Sequence, residues 1–102
     1  MTALHQVWDT HAKNLELYVP VVARVHGQSH PEFLHVQRIF TSLATKIKAS
    51  PTSRPSLDEE CAQLRSVTNT YTIPPDTCET YAAVYQMLQE LDAAYGSQDK
   101  ES

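Results

Sequence analysis

Residues 3–26 read ALHQVWDTHAKNLELYVPVVARVH, and the spacing inside this stretch decides the fold. Leu4, Trp8, His11, Leu15, Tyr18, Val22 and Val25 step by three and four, so a helix here carries one heptad-like apolar face. Pro20 falls inside it, removing one backbone hydrogen bond, and a kink is expected there. The apolar face stays in register across the proline, so the helix is retained. A helix with one apolar face needs partners, and three more stretches supply them. Phe33, Val36, Phe40, Leu43 and Ile47 form the second face. Leu57, Cys61, Leu64, Val67 and Tyr71 form the third, and Tyr81, Val84, Leu88, Leu91 and Tyr95 the fourth. Helices are expected over residues 3–26, 30–49, 56–71 and 75–95, all within one domain spanning residues 1–102.

Turn residues fall between these stretches. Gly27-Gln28-Ser29 closes the first, with Gly27 suited to a left-handed C-terminal cap. Ser29 or His30 then precedes Pro31, which a first helical turn tolerates. Ser50-Pro51-Thr52-Ser53-Arg54-Pro55 breaks the chain, and Ser56-Leu57-Asp58-Glu59 reads as a capping box. Asp58, Glu59 and Glu60 suit the positive end of a helix dipole better than paired acid–base chemistry. Ile73-Pro74-Pro75 separates the last two helices. Connections this short make neighbours antiparallel, which gives an all-α, up-down-up-down four-helix bundle. One pole then gathers the start of helix one, the end of helix two, the start of helix three and the end of helix four. The other pole carries the Gly27–Ser29 and Thr72–Pro75 loops.

Composition narrows the function classes. The chain has 102 residues, 41% hydrophobic and 20% charged, which suits one globular core. No run of 18 apolar residues occurs, and Met1 to Leu4 carries no signal-like segment, so a cytoplasmic location is the default. The net charge of −4 divides into a weakly basic first half and an acidic second half. No basic stripe with interleaved aromatics appears, so a nucleic-acid partner is disfavoured. Cys61 and Cys78 lack CxxC spacing and read as two buried, small apolar residues. No phosphate-cradling glycine loop, nucleophile elbow or HExxH stretch is present, which leans away from an enzyme.

Three collinear stretches carry a family resemblance. They are Val25-His26-Gly27 with His30-Pro31-Glu32-Phe33, then Leu64-Arg65-x-Val67-Thr68-Asn69-x-Tyr71 leading to Pro74-Pro75, then Cys78-x-Thr80-Tyr81-x-x-x-Tyr85-x-x-Leu88-x-x-Leu91. In order and spacing, over about residues 5–95, they resemble the hemerythrin-like domain of the iron–sulfur cluster repair proteins (the RIC/ScdA/YtfE type). The resemblance implies a four-helix bundle holding a non-haem di-iron centre, bound by histidines and carboxylates and linked to cluster repair under nitrosative or oxidative stress. Carried over residue by residue, it places the helix-one ligand on His5, the helix-two pair near Ser50 and Arg54, and the helix-four pair near Gln98 and Ser102. No histidine follows His35, so the helix-three ligand has no counterpart, and the family's N-terminal domain with its cysteine pair is not seen either.

His5 is thus the single retained ligand position. All the losses belong to one pole, where each helix end reads as trimmed. The expectation is a bundle that has lost most of its di-iron ligands, holds no cofactor and acts in interaction or regulation. Trimming should expose Leu4 and Trp8, and a homodimer is the corollary. The alternative is a non-haem iron protein of cluster repair, with ligands from a second chain around His5 or from His5, Asp9 and His11. A shortened gene product without independent function is a third reading. Outside that set, His5 with Asp9 reads as a solvated pair and His11 as a hydrogen-bonded core histidine. His26, His30 and His35 gather near the loop pole, where capping explains them better than a metal. Tyr71, Tyr81, Tyr85 and Tyr95 sit at helical spacing and should pack in the core.

Overall fold

The computed structural model describes the backbone of residues 3–101 and the side chains of residues 3–96. Four helices account for the architecture: α1 Ala3–His26, α2 Glu32–Ala49, α3 Asp58–Val67 and α4 Glu79–Glu101. None of the described residues is in a strand. The 24 residues of α1 rise about 1.5 Å each, which accounts for most of the 40 Å long axis of the bundle.

Cross-helix contacts give the directions. His5, at the start of α1, meets Ser50 just past the end of α2, and His11 of α1 meets Glu90 of α4. Glu60, early in α3, meets Ser42 and Lys46, late in α2. Asp58 opens α3 against Tyr95 of α4, whereas Arg65 reaches Asp92. The start of α1 meets the end of α2, the start of α3 the late part of α2, and the opening of α3 the late part of α4, as in an up-down-up-down bundle.

The apolar faces of α2 and α4 are buried at every position the spacing selects, from Phe33 to Ile47 and from Tyr81 to Tyr95. On α1 the buried line is Leu4, His5, Trp8, Leu15, Val19, Val22 and Ala23. It is rotated slightly from the expected face, leaving Tyr18 half-buried and Val25 exposed. α1 runs unbroken through Pro20, which lies on the exposed side where a missing hydrogen bond leaves its acceptor to water.

The helix ends depart further from expectation. No glycine has a positive φ, so Gly27 is not a left-handed cap. A Cβ there would lie 2.3 Å from the Ala23 carbonyl oxygen, so close approach is what requires glycine. The capping box at Ser56 does not form. Leu57 holds the N-cap position, and no side chain caps the helix. Instead the Leu57 amide donates to the Tyr95 hydroxyl (3.0 Å), which itself donates to Asp58 Oδ1 (2.9 Å).

α3 stops at Val67 rather than running to residue 71. Asn69, Thr70 and Tyr71 follow with φ of 52°, 56° and 61°, three left-handed residues in succession. Thr70 N–H donates to Arg65 O (2.7 Å) and Asn69 N–H to Ser66 O (3.4 Å), the paired bonds of a Schellman cap with asparagine at C′. Thr68 continues the turn: its hydroxyl donates to Leu64 O (2.6 Å) and accepts from Tyr71 N–H (2.8 Å). Left-handed backbone costs about 1–2 kcal/mol at each non-glycine residue, and these bonds offset it. The result points Tyr71 back at α4, where its hydroxyl donates to Asp92 Oδ2 (2.8 Å) beside Arg65 Nε (2.9 Å).

Candidate functional site

At the pole to which the resemblance assigns metal ligands, His5 is buried, 5% exposed, and therefore not part of a solvated pair with exposed Asp9. Its Nε2 lies 2.7 Å from the Ser50 carbonyl oxygen. That bond confirms that position 50 faces position 5, yet what Ser50 offers the histidine is backbone. The Arg54 guanidinium stacks 3.9 Å above the Tyr95 ring, a cation–aromatic contact. His5, Trp8, Asp9, Ile47, Lys48 and Pro51 line a hollow of about 220 Å³.

Leu4 and Trp8 are buried, at 0% and 6% exposure, contrary to the expected exposed helix ends. Pro55 and Leu57 are buried too, so the segment joining α2 to α3 folds back over this pole. Leu4 and Trp8 are therefore not the exposed apolar surface on which the homodimer corollary rests.

The donor set here fits a di-iron pair poorly. Iron of this kind takes imidazole and carboxylate ligands, and two ions need several of each. The hollow beside His5 adds Asp9 and one cation, Lys48, and Arg54 is turned onto the Tyr95 ring. Among the described residues no group of three or more His, Cys, Asp or Glu side chains is placed to hold a metal ion. Gln98 and Ser102 lie outside the described side chains. The set His5, Asp9 and His11 does not assemble either, because His11 turns to Glu90 at 3.2 Å.

The chain is similar to an iron–sulfur cluster repair protein. Two curated relatives, ScdA from two strains of Staphylococcus epidermidis, are each 26% identical over 122 residues. The match covers 89% of this chain and 54% of each relative, so the chain spans about half their length. No family model matches the chain, and no solved structure matches it at a significant level.

The loop pole is richer in chemistry. Its connections bring His26, His30, Glu32, Asp76 and Cys78 around the edge of buried Tyr81. His30 Nδ1 is 2.9 Å from Glu32 Oε1, and its Nε2 is 3.1 Å from Asp76 Oδ1. His26 and His30 both set their rings against Tyr81, at 5.4 and 5.6 Å between centroids. His35, expected beside them, is exposed and accepts from Arg38 Nη2 (2.8 Å) instead. Tyr81 and Tyr85 are fully buried with their hydroxyls 3.2 Å apart, and burial pushes both phenols above their ordinary value.

The two cysteines separate. Cys61 is 1% exposed, as expected, and burial with Asp92 beside it pushes its thiol up to about 12. Cys78 is exposed, contrary to expectation, with Sγ 3.3 Å from His26 Nε2. Cys78 follows two prolines and precedes the first turn of α4, so no helical face draws it inward. The expected loop pole held the Gly27–Ser29 and Thr72–Pro75 connections, and the closeness of Cys78 to the second of these in sequence was the available signal.

Proposed function

We propose that this chain is a bundle of the iron–sulfur cluster repair lineage that acts through contact with another protein, without a di-iron centre of its own. The carrying observation is Arg54 over Tyr95, a fixed guanidinium at a position the resemblance gives to a ligand. A cation there opposes a second cation and offers it no lone pair. The His5 bond to the Ser50 carbonyl supports the same reading, since it uses one ring nitrogen of the imidazole in holding the α2–α3 segment. Similarity to ScdA supports the lineage. The matched length of 122 residues exceeds the 102 residues of the chain, so the relatives carry stretches inside the matched region that this chain lacks.

Metal analysis after expression in iron-replete medium tests this reading. The expected content is well below one iron per chain. Two irons per chain with an oxo-bridge absorption band overturn it.

A second reading draws on the name of the relatives and on the hollow beside His5. There the chain binds iron for cluster repair, with His5 and Asp9 as partial ligands completed by a second chain. Iron bound in proportion to dimer, and lost in His5→Gln, separates it from the first.

A further inference from the structure

We propose that Cys78 is a thiol-exchange site, with His26 as the base that takes its proton and a low-molecular-weight disulfide as its class of substrate. Neither the metal pole nor the proposed protein contact enters this inference. It starts from a pair of groups 52 residues apart in sequence, one at the last residue of α1 and one just ahead of α4.

Thiol–disulfide exchange needs a sulfur open to solvent, a base within hydrogen-bond reach, and a ring that stays in place. Cys78 is exposed, so a small disulfide has access. His26 Nε2 stands 3.3 Å from Sγ, an ordinary separation for a thiol donating to an imidazole nitrogen. The His26 ring is half-buried and packs edge-on against Tyr81 at 89° between planes, which limits its rotation. Tyr81 is in turn fixed by full burial and by its contact with Tyr85. Glu32 holds His30 at Nδ1, so the second histidine of the pole is turned to that carboxylate and it is His26 that faces the thiol.

The step balances without any further reactant. The Cys78 proton passes to His26 Nε2 as sulfur attacks one sulfur of the small disulfide. A new S–S bond forms to Cys78 and the original S–S bond breaks. The departing thiolate takes the proton back from the imidazolium, leaving a mixed disulfide on the protein and one small thiol in solution. Cys61 is the internal control, since a thiol buried in the core meets no disulfide while the bundle is folded.

The test uses the full folded chain at pH 7, oxidised glutathione as the probe, and intact-mass detection. One adduct is expected, on Cys78, with Cys61 unmodified until guanidinium unfolds the chain. Cys78→Ser should give no adduct under native conditions. His26→Gln should slow adduct formation on the order of tenfold, the low end of what a positioned base contributes. His30→Gln should react as the parent does, which separates the pair from general packing of the pole. Helicity of each variant, and equal rates for parent and His26→Gln in guanidinium, tie the effect to the folded pair. Equal native rates for parent and His26→Gln overturn the proposal, as do an equal slowing in His30→Gln or an adduct on Cys61 in the folded protein.

Discussion

Gly27 turns the chain out of α1 so tightly that an added Cβ would meet backbone, with the Ala23 oxygen at 2.3 Å and Leu34 Cδ2 at 3.1 Å. A carbonyl still bonded to the Gly27 amide at 3.0 Å has little room to retreat. Gly27→Ala should therefore cost about 1–3 kcal/mol, as overpacking against a fixed neighbour does. Gly27→Asn discriminates between two uses of glycine, because a left-handed cap would accept asparagine and a close approach would not. Urea midpoints for the two variants should fall together; an asparagine variant as stable as the parent would count against close approach. Glu60 offers a second case. Burial alone would raise its carboxyl, but Lys46 at 2.7 Å, its own amide and the Ser42 hydroxyl together hold it below the ordinary value. A carboxyl lowered in the folded state contributes stability above about pH 4.5, and that contribution is lost as pH falls through the folded value. Lys46→Met removes the main lowering partner, so acid unfolding should begin at a higher pH than in the parent. An unchanged acid midpoint by far-UV circular dichroism would rule this out.

The elements themselves were legible because helix formation against a core follows local spacing, and the i, i+3, i+4 pattern needs no knowledge of the partner. The ends of α3 were not. Its start depends on the Tyr95 hydroxyl, 38 residues further along the chain, which takes the Leu57 amide, whereas the expected cap was a local one between the Ser56 hydroxyl and the amide three residues on. Its finish depends on Thr68, whose hydroxyl captures the Tyr71 amide and turns the chain left-handed before a fourth helical turn can form. The stretch Leu64-Arg65-x-Val67-Thr68-Asn69-x-Tyr71, noticed as a resemblance, thereby acquires a physical meaning. It builds a cap and delivers an arginine and a tyrosine to one carboxylate. Tyr95→Phe tests the entry of α3 with minimal change in shape. It strands a buried amide and removes the donor to Asp58, so a loss of about 1–3 kcal/mol is expected. Chemical denaturation measures it, and a phenylalanine variant within 0.5 kcal/mol of the parent (roughly the scatter of ordinary surface changes) would mean that water replaces the hydroxyl.

Across the whole molecule the two poles differ in how far sequence carried. Antiparallel connectivity was enough to say which helix ends share a pole, and the contacts of His5 with Ser50 and of His26 with Cys78 are consistent with it. Burial at each pole was not, because it depends on the path of the Ser50–Pro55 segment, which has no periodicity to read. Leu4 and Trp8 are buried at one pole, and the opposite connection leaves Cys78 in the open. A further property emerges only from the assembled core: its interior is lined with weak acids. Cys61 is raised from 9.0 to about 12 by burial and then by Asp92. Burial likewise raises Tyr71, Tyr81, Tyr85 and Tyr95 above their ordinary 10.0. Each group holds its proton more tightly folded than unfolded. Its stabilisation is complete below the unfolded value and is lost as pH rises towards the folded one. Stability should therefore be flat from pH 7 to about 8.5 and fall above about 9 as the unfolded thiol ionises, then more steeply past about 10 as the unfolded phenols follow. In Cys61→Ala the first part of the fall should vanish and the second remain, since only the tyrosines are left to ionise. Urea midpoints for both proteins from pH 7 to 11 decide it, and a parent as stable at pH 11 as at pH 8 would show that these side chains are not held in a closed core.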